Sequence, residues 1–75
     1  MSDFRAFLAG APLGTRVVVR TRIDSGYTDA LGYLRAASPA SVVVETTRGL
    51  VTLSLADVVA AKEVPPPPAS RAPRR

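Results

Sequence analysis

Three arginines in the segment TRVVVRTRI, Arg16, Arg20 and Arg22, lie four and two residues apart. In a β-strand, residues at even spacing point to the same face, so this segment predicts a strand with one cationic face. Guanidinium groups bind phosphates through paired N–H donors, which makes nucleic acid a candidate ligand. The alternative is a solvated outer face whose arginines cover apolar surface and pair with Glu45 or Glu63.

Aromatic rings would extend this chemistry to single-stranded nucleic acid, because bases stack on them. Tyr27 and Tyr33 are the two tyrosines of the chain, and Arg35 or Arg48 could enlarge the cationic patch. The residues predicted to contact nucleic acid or a protein partner are Arg16, Arg20, Arg22, Tyr27, Tyr33 and Arg48.

The side chains available for catalysis are few, because the chain holds no His and no Cys. Asp24 and Asp29 flank the segment DSGYTD, where a carboxylate pair could bind a cation or act as acid and base. Aspartates in such segments more often cap turns, which is the role we expect here. The glycines are scattered and form no phosphate-binding loop. The sequence therefore predicts no enzyme and no catalytic, cofactor-binding or metal-ligating residue.

The length and the charge of the chain limit its possible functions further. The 75 residues fit one small domain, and the lack of cysteine is typical of a reducing cytoplasm. No apolar run approaches the roughly 20 residues that span a bilayer, and the N-terminus does not read as a signal peptide. The net charge is +4, but residues 65–75 hold three arginines and no acid, which leaves +1 for the rest. The high pI of 10.7 therefore says little about the folded part.

Residues 1–12 predict a short helix and a turn. Ser2 or Asp3 could cap the helix, Phe4, Phe7 and Leu8 share one side, and Gly10 could end it. The two phenylalanines should dock this helix on the rest of the domain, because one or two helical turns are unstable alone.

Alternation of apolar and β-branched residues predicts five short strands over residues 15–23, 28–37, 41–47, 50–55 and 59–64. Gly32 predicts a sharp bend or a close backbone approach in the second strand, and Arg48-Gly49 predicts a tight hairpin. A 3₁₀ turn over residues 55–58 should precede the last strand, with a regular helix over 55–62 as the competing interpretation. The fold class is therefore all-β: a small five-stranded SH3-like or Sm-like barrel over residues 13–64, whose closure removes the sheet edges.

The segments TDALG (residues 28–32) and LADVVAAK (residues 55–62), followed by four prolines, resemble the N-terminal module of actinobacterial GNAT-family N-acetyltransferases, some described as histone acetyltransferases. The resemblance covers residues 14–68. It implies an SH3-like barrel, then a Pro/Arg-rich linker, then a separate acetyltransferase domain that binds acetyl-CoA. Nothing of that acetyl-CoA site matches a position in this chain.

Two functions follow from these observations. The first is a non-catalytic accessory module that contacts a protein partner or an adjacent acetyltransferase domain, with residues 65–75 as the flexible linker. The second is an independent nucleic-acid-binding small barrel, Sm-like or Tudor-like, that uses the arginine strand face and the basic tail. Both place the chain in the cytoplasm and away from membranes.

Overall fold

The computed structural model describes residues 4–66, so the predicted helix cap and most of the Pro/Arg-rich tail lie outside the described residues. One helix precedes five strands: α1 Phe4–Gly10, β1 Arg16–Ile23, β2 Gly26–Ala37, β3 Ser41–Thr46, β4 Gly49–Ser54 and β5 Val58–Glu63. The strands form a single sheet in the order β4-β3-β2-β1-β5, and every neighbouring pair is antiparallel. The predicted all-β barrel with a short N-terminal helix is confirmed.

The core follows from the period-two alternation of the strands. β1 and β3 each bury their valines at alternate positions, as predicted. The buried apolar cluster consists of Leu8, Val17, Val19, Leu34, Val42, Val44, Leu55 and Val58. Alternation puts Ile23 on the same face as Val17 and Val19, but Ile23 is 45% exposed. Its strand runs past the core, because the pairing of β5 with β1 ends at Thr21.

Gly32 lies where β2 passes from one neighbour to the other. Residues 26–33 of β2 pair with β1, and pairing with β3 starts at Tyr33, opposite Glu45. A Cβ atom on Gly32 would overlap the carbonyl oxygen of Glu45, and this oxygen belongs to the backbone. The predicted close approach is therefore confirmed, and it explains why the position holds glycine.

The first hairpin is tighter than predicted, and the second is as tight as predicted but shifted by one residue. Ile23 pairs with Gly26, so only two residues connect β1 to β2, and the expectation that β2 starts at residue 28 is wrong. The second hairpin has the same form, with Thr46 pairing with Gly49. Both closing glycines have a positive φ, +139° at Gly26 and +120° at Gly49, which other residues rarely adopt.

The segment before β5 is a single turn. The amide of Asp57 donates to the carbonyl of Ser54 at 2.9 Å, and the amide of Val58 donates to the carbonyl of Leu55 at 3.3 Å. These bonds span three residues, which is the 3₁₀ pattern that was predicted. The competing helix over residues 55–62 is wrong, because β5 begins at Val58.

The barrel is open along one seam. β4 and β5 are the two edge strands of the sheet, and within residues 4–66 they do not pair with each other. The expectation that closure removes the sheet edges is therefore wrong. α1 packs against β5, where Leu8 is 1% exposed and Phe4 and Phe7 pack against the core. The helix thus covers core surface that the open sheet leaves bare.

Thr21 is the one buried polar side chain of the described core, at 8% exposure, and its hydroxyl has no hydrogen-bond partner among residues 4–66. A buried hydroxyl without a partner costs free energy. We therefore expect Thr21→Val to raise the free energy of unfolding by about 1 kcal/mol, measured by urea denaturation. Thr15→Val is the control, because its hydroxyl donates to the Pro12 carbonyl at 2.7 Å and should not stabilise. A loss of stability in Thr21→Val would show that this hydroxyl is satisfied in solution.

Candidate functional site

The three arginines of β1 share the outer face of the sheet. The intervening residues Val17, Val19 and Thr21 point into the core, so alternation turns Arg16, Arg20 and Arg22 outward. Arg20 and Arg22 are exposed, and Arg16 is half-buried. The structure thus places the predicted cationic residues on one strand face.

The two tyrosines of β2 stand beside these arginines. In the antiparallel register, Tyr33 pairs with Arg16 and Tyr27 pairs with Arg22. The two arginine–tyrosine pairs are offset by six positions along β1, which is about 20 Å along a strand. We call the surface formed by Arg16, Arg20, Arg22, Tyr27 and Tyr33 the outer arginine face.

The centre of this face is occupied by an ion pair. Arg20 Nε lies 2.9 Å from Asp29 Oδ1, and Arg20 Nη2 lies 3.3 Å from Asp29 Oδ2. The hydrogen bond from Arg20 holds the pKa of the Asp29 carboxyl below its ordinary value. In turn the bond to Asp29 raises the pKa of Arg20. The expected turn-capping role of Asp29 is wrong, because Asp29 lies within β2 as the partner of Arg20.

The arginines at the two ends of the face have no acidic partner among residues 4–66. Arg16 donates through Nη1 to the carbonyl of Pro65 at 2.7 Å, and no side-chain bond of Arg22 is found there. Glu45, predicted as a partner of the β1 arginines, instead binds Arg35 at 2.6 Å. The end positions therefore keep guanidinium charge that an acid does not neutralise.

Apolar side chains lie between the two ends. Val18 pairs with Leu31 on β2 and with Lys62 on β5, and Leu31 is 45% exposed. Val18 and Leu31 were not among the residues predicted to form the site. Their signal was the alternation itself, since Val18 falls between Arg16 and Arg20 at even spacing and must face the same way.

Arg48 is the one predicted contact residue that lies outside the outer arginine face. It sits in the hairpin between β3 and β4, where its amide donates to Thr46 Oγ1 at 3.1 Å. The neighbouring Thr47 lines a shallow groove together with Arg16 and Tyr33. The structure thus brings five of the six predicted residues together and leaves Arg48 at the margin.

Within residues 4–66, no three His, Cys, Asp or Glu residues lie close enough together to hold a metal ion. No helix of that range is long and apolar enough to cross a membrane.

These features define a small, open β-barrel with a mixed cationic and aromatic outer face. Residues 11–62 match the family described as the Rv0428c N-terminal Sm-like domain. The match covers more than half of the chain, so the chain belongs to this family. It supports an Sm-like barrel in place of the SH3-like description that the resemblance implied, and it carries no statement about an acetyltransferase. No curated protein and no solved structure matches the chain at a significant level.

Proposed function

We propose that this chain is a non-catalytic Sm-like module that binds single-stranded nucleic acid on the outer arginine face. One observation carries the proposal: each end of the face pairs an arginine of β1 with a tyrosine of β2, Arg16 with Tyr33 and Arg22 with Tyr27. An arginine supplies a phosphate contact and a ring supplies a stacking platform, which is the combination that single strands need.

The phosphate contacts supply affinity without sequence preference. Arg16 and Arg22 lack an acidic partner in the described part of the chain, so a phosphate oxygen can accept from them without breaking an ion pair. Two or three such contacts give weak binding, with a dissociation constant on the order of 10⁻⁴ M at physiological salt. This range suits a module that acts beside other binding elements.

Tyr27 supplies the more accessible stacking platform. Its side chain is 60% exposed, whereas Tyr33 is half-buried and has the Arg35 guanidinium 5.6 Å from its ring centre. Sheet surfaces that present aromatic rings stack unpaired bases in this way. A duplex hides its bases in the stack, so the face favours a single strand.

Tyr27→Ala should weaken binding of a 12-nucleotide oligothymidylate about fivefold or more, because stacking contributes about 1 to 3 kcal/mol per base. Fluorescence anisotropy at low salt measures the change. Tyr27→Phe is the matched control, since it keeps the ring and should bind like the unaltered protein. Equal weakening in both variants would exclude stacking on Tyr27, and no binding by the unaltered protein would refute the proposed function.

A second candidate function concerns the place of this module in a longer protein. The family description calls its domain N-terminal, and the match ends at residue 62, just before the prolines. Together with the resemblance to GNAT-family N-terminal modules, this supports an accessory domain that precedes an acetyltransferase domain. Binding a nucleic acid and preceding a catalytic domain are compatible, because the module would then bring the enzyme to its ligand.

The reading frame beyond Arg75 tests this second function most cheaply. If it continues into an acetyltransferase domain, the accessory function is supported. If it stops, the separately expressed acetyltransferase domain of the same genome should bind this chain in a pull-down, and failure there would refute the candidate.

A further inference from the structure

The ion pair between Arg20 and Asp29 stands at the middle of the outer arginine face. Arg20 lies between Arg16 and Arg22 on β1. Its guanidinium group donates hydrogen bonds to both carboxylate oxygens of Asp29 on the neighbouring strand. Both side chains are about half exposed, 55% and 44%, so a ligand on the face reaches the pair directly. A carboxylate bound in this way occupies the guanidinium N–H donors that would otherwise bind a phosphate.

We propose that Asp29 is a specificity residue of this face: it keeps phosphate away from the centre, so that a bound strand places its phosphates at the two ends. The inference rests on the proposed function and adds a binding mode to it. Arg16 and Arg22 take the phosphates. The carboxylate repels a third phosphate and holds Arg20, which leaves the centre to less charged parts of the ligand.

The surroundings of the pair fit this binding mode. Val18 and Leu31 form the cross-strand pair two residues along from Arg20 and Asp29, on the same face, and Leu31 is 45% exposed. An apolar patch of this kind accommodates the flat surface of a base better than a phosphate. The face thus has an arginine at each end and, at its centre, the Arg20–Asp29 ion pair beside Val18 and Leu31, with the exposed Lys62 of β5 next to Val18.

Salt dependence of binding distinguishes two phosphate contacts from three. For single strands, the slope of log K against log salt is about −0.7 per phosphate contact. Asp29→Asn removes the carboxylate charge and leaves Arg20 available, so the slope should steepen by about 0.7 and the affinity at about 50 mM salt should rise about threefold. The probe is the 12-nucleotide oligothymidylate, measured by anisotropy at four or more salt concentrations with the full chain.

Two variants separate release of Arg20 from a simple change in charge. Asp24→Asn also removes one negative charge, but Asp24 lies in the β1–β2 turn without an ion pair among residues 4–66, so its slope should stay unchanged. Arg20→Gln combined with Asp29→Asn should remove the gain. Thermal unfolding of every variant checks that the fold is kept.

Each result decides the inference. A steeper slope in Asp29→Asn alone supports it. An equal effect in Asp29→Asn and Asp24→Asn, or a gain that persists without Arg20, overturns it while the proposed function stands. Absence of binding by the unaltered protein and by Asp29→Asn overturns both.

Discussion

Gly32→Ala is expected to destabilise the domain by about 3 kcal/mol, close to the upper end of what overpacking costs. The added Cβ would overlap the carbonyl oxygen of Glu45 and lie 2.6 Å from its carbonyl carbon. Both atoms belong to the β3 backbone, so relief requires moving a strand rather than turning a side chain. Because a domain of this size has a stability of roughly 5 kcal/mol, most of it would be lost. Urea denaturation followed by circular dichroism measures the effect.

Gly10→Ala is the control for this substitution. Gly10 closes α1, has no heavy atom within 4 Å of an added Cβ and has no positive φ, so the change should stay within about 0.5 kcal/mol. If Gly32→Ala were as mild as Gly10→Ala, β3 would not cross β2 as closely as described.

Leu8→Ala is expected to cost about 2 to 5 kcal/mol, the range for truncating a buried leucine. Leu8 is 1% exposed although it belongs to a helix of only seven residues. The cost should fall at the high end if the helix leaves the barrel, because the core surface beneath α1 would then meet water. Thermal denaturation with and without the substitution provides the measurement.

Leu13→Ala serves as the matched substitution, since Leu13 is 65% exposed and its truncation should cost less than about 0.5 kcal/mol. Similar losses in Leu8→Ala and Leu13→Ala would contradict the placement of α1 over the core.

The strands were predictable from sequence because burial on one face imposes alternation. Val42 and Val44 of β3 and Val17 and Val19 of β1 gave the inner face directly. Gly32 was predictable for a different reason, since a glycine within an apolar strand usually marks a bend. What alternation does not encode is pairing at the edges, so the open seam between β4 and β5 was missed.

The register of the first hairpin decided how much of the site could be predicted. With β2 starting at residue 28, Asp29 falls opposite Arg22. With the observed two-residue connection, Asp29 falls opposite Arg20. The positive φ of Gly26 allows the tighter turn, and glycine after Asp-Ser was a usable signal for it. The central ion pair was therefore missed because the predicted loop was two residues longer than the observed one.

The ligand is the part that the fold alone does not determine, because small barrels carry many unrelated functions. The arginines and tyrosines were recognised as residue types, but their pairing across β1 and β2 required the register. Val18 and Leu31 were not assigned to the site from the sequence, yet both lie on the outer face, where Leu31 is 45% exposed.

The salt dependence of oligothymidylate binding by three forms of the 75-residue chain tests the central claim most directly. The unaltered chain is compared with a tail variant, in which Arg71, Arg74 and Arg75 become Gln, and with a face variant, Arg16→Gln combined with Arg22→Gln. We expect the tail variant to keep binding with a slope shallower by up to about 2, and the face variant to lose binding at low salt. Binding that disappears in the tail variant and survives in the face variant would contradict a site on the outer arginine face.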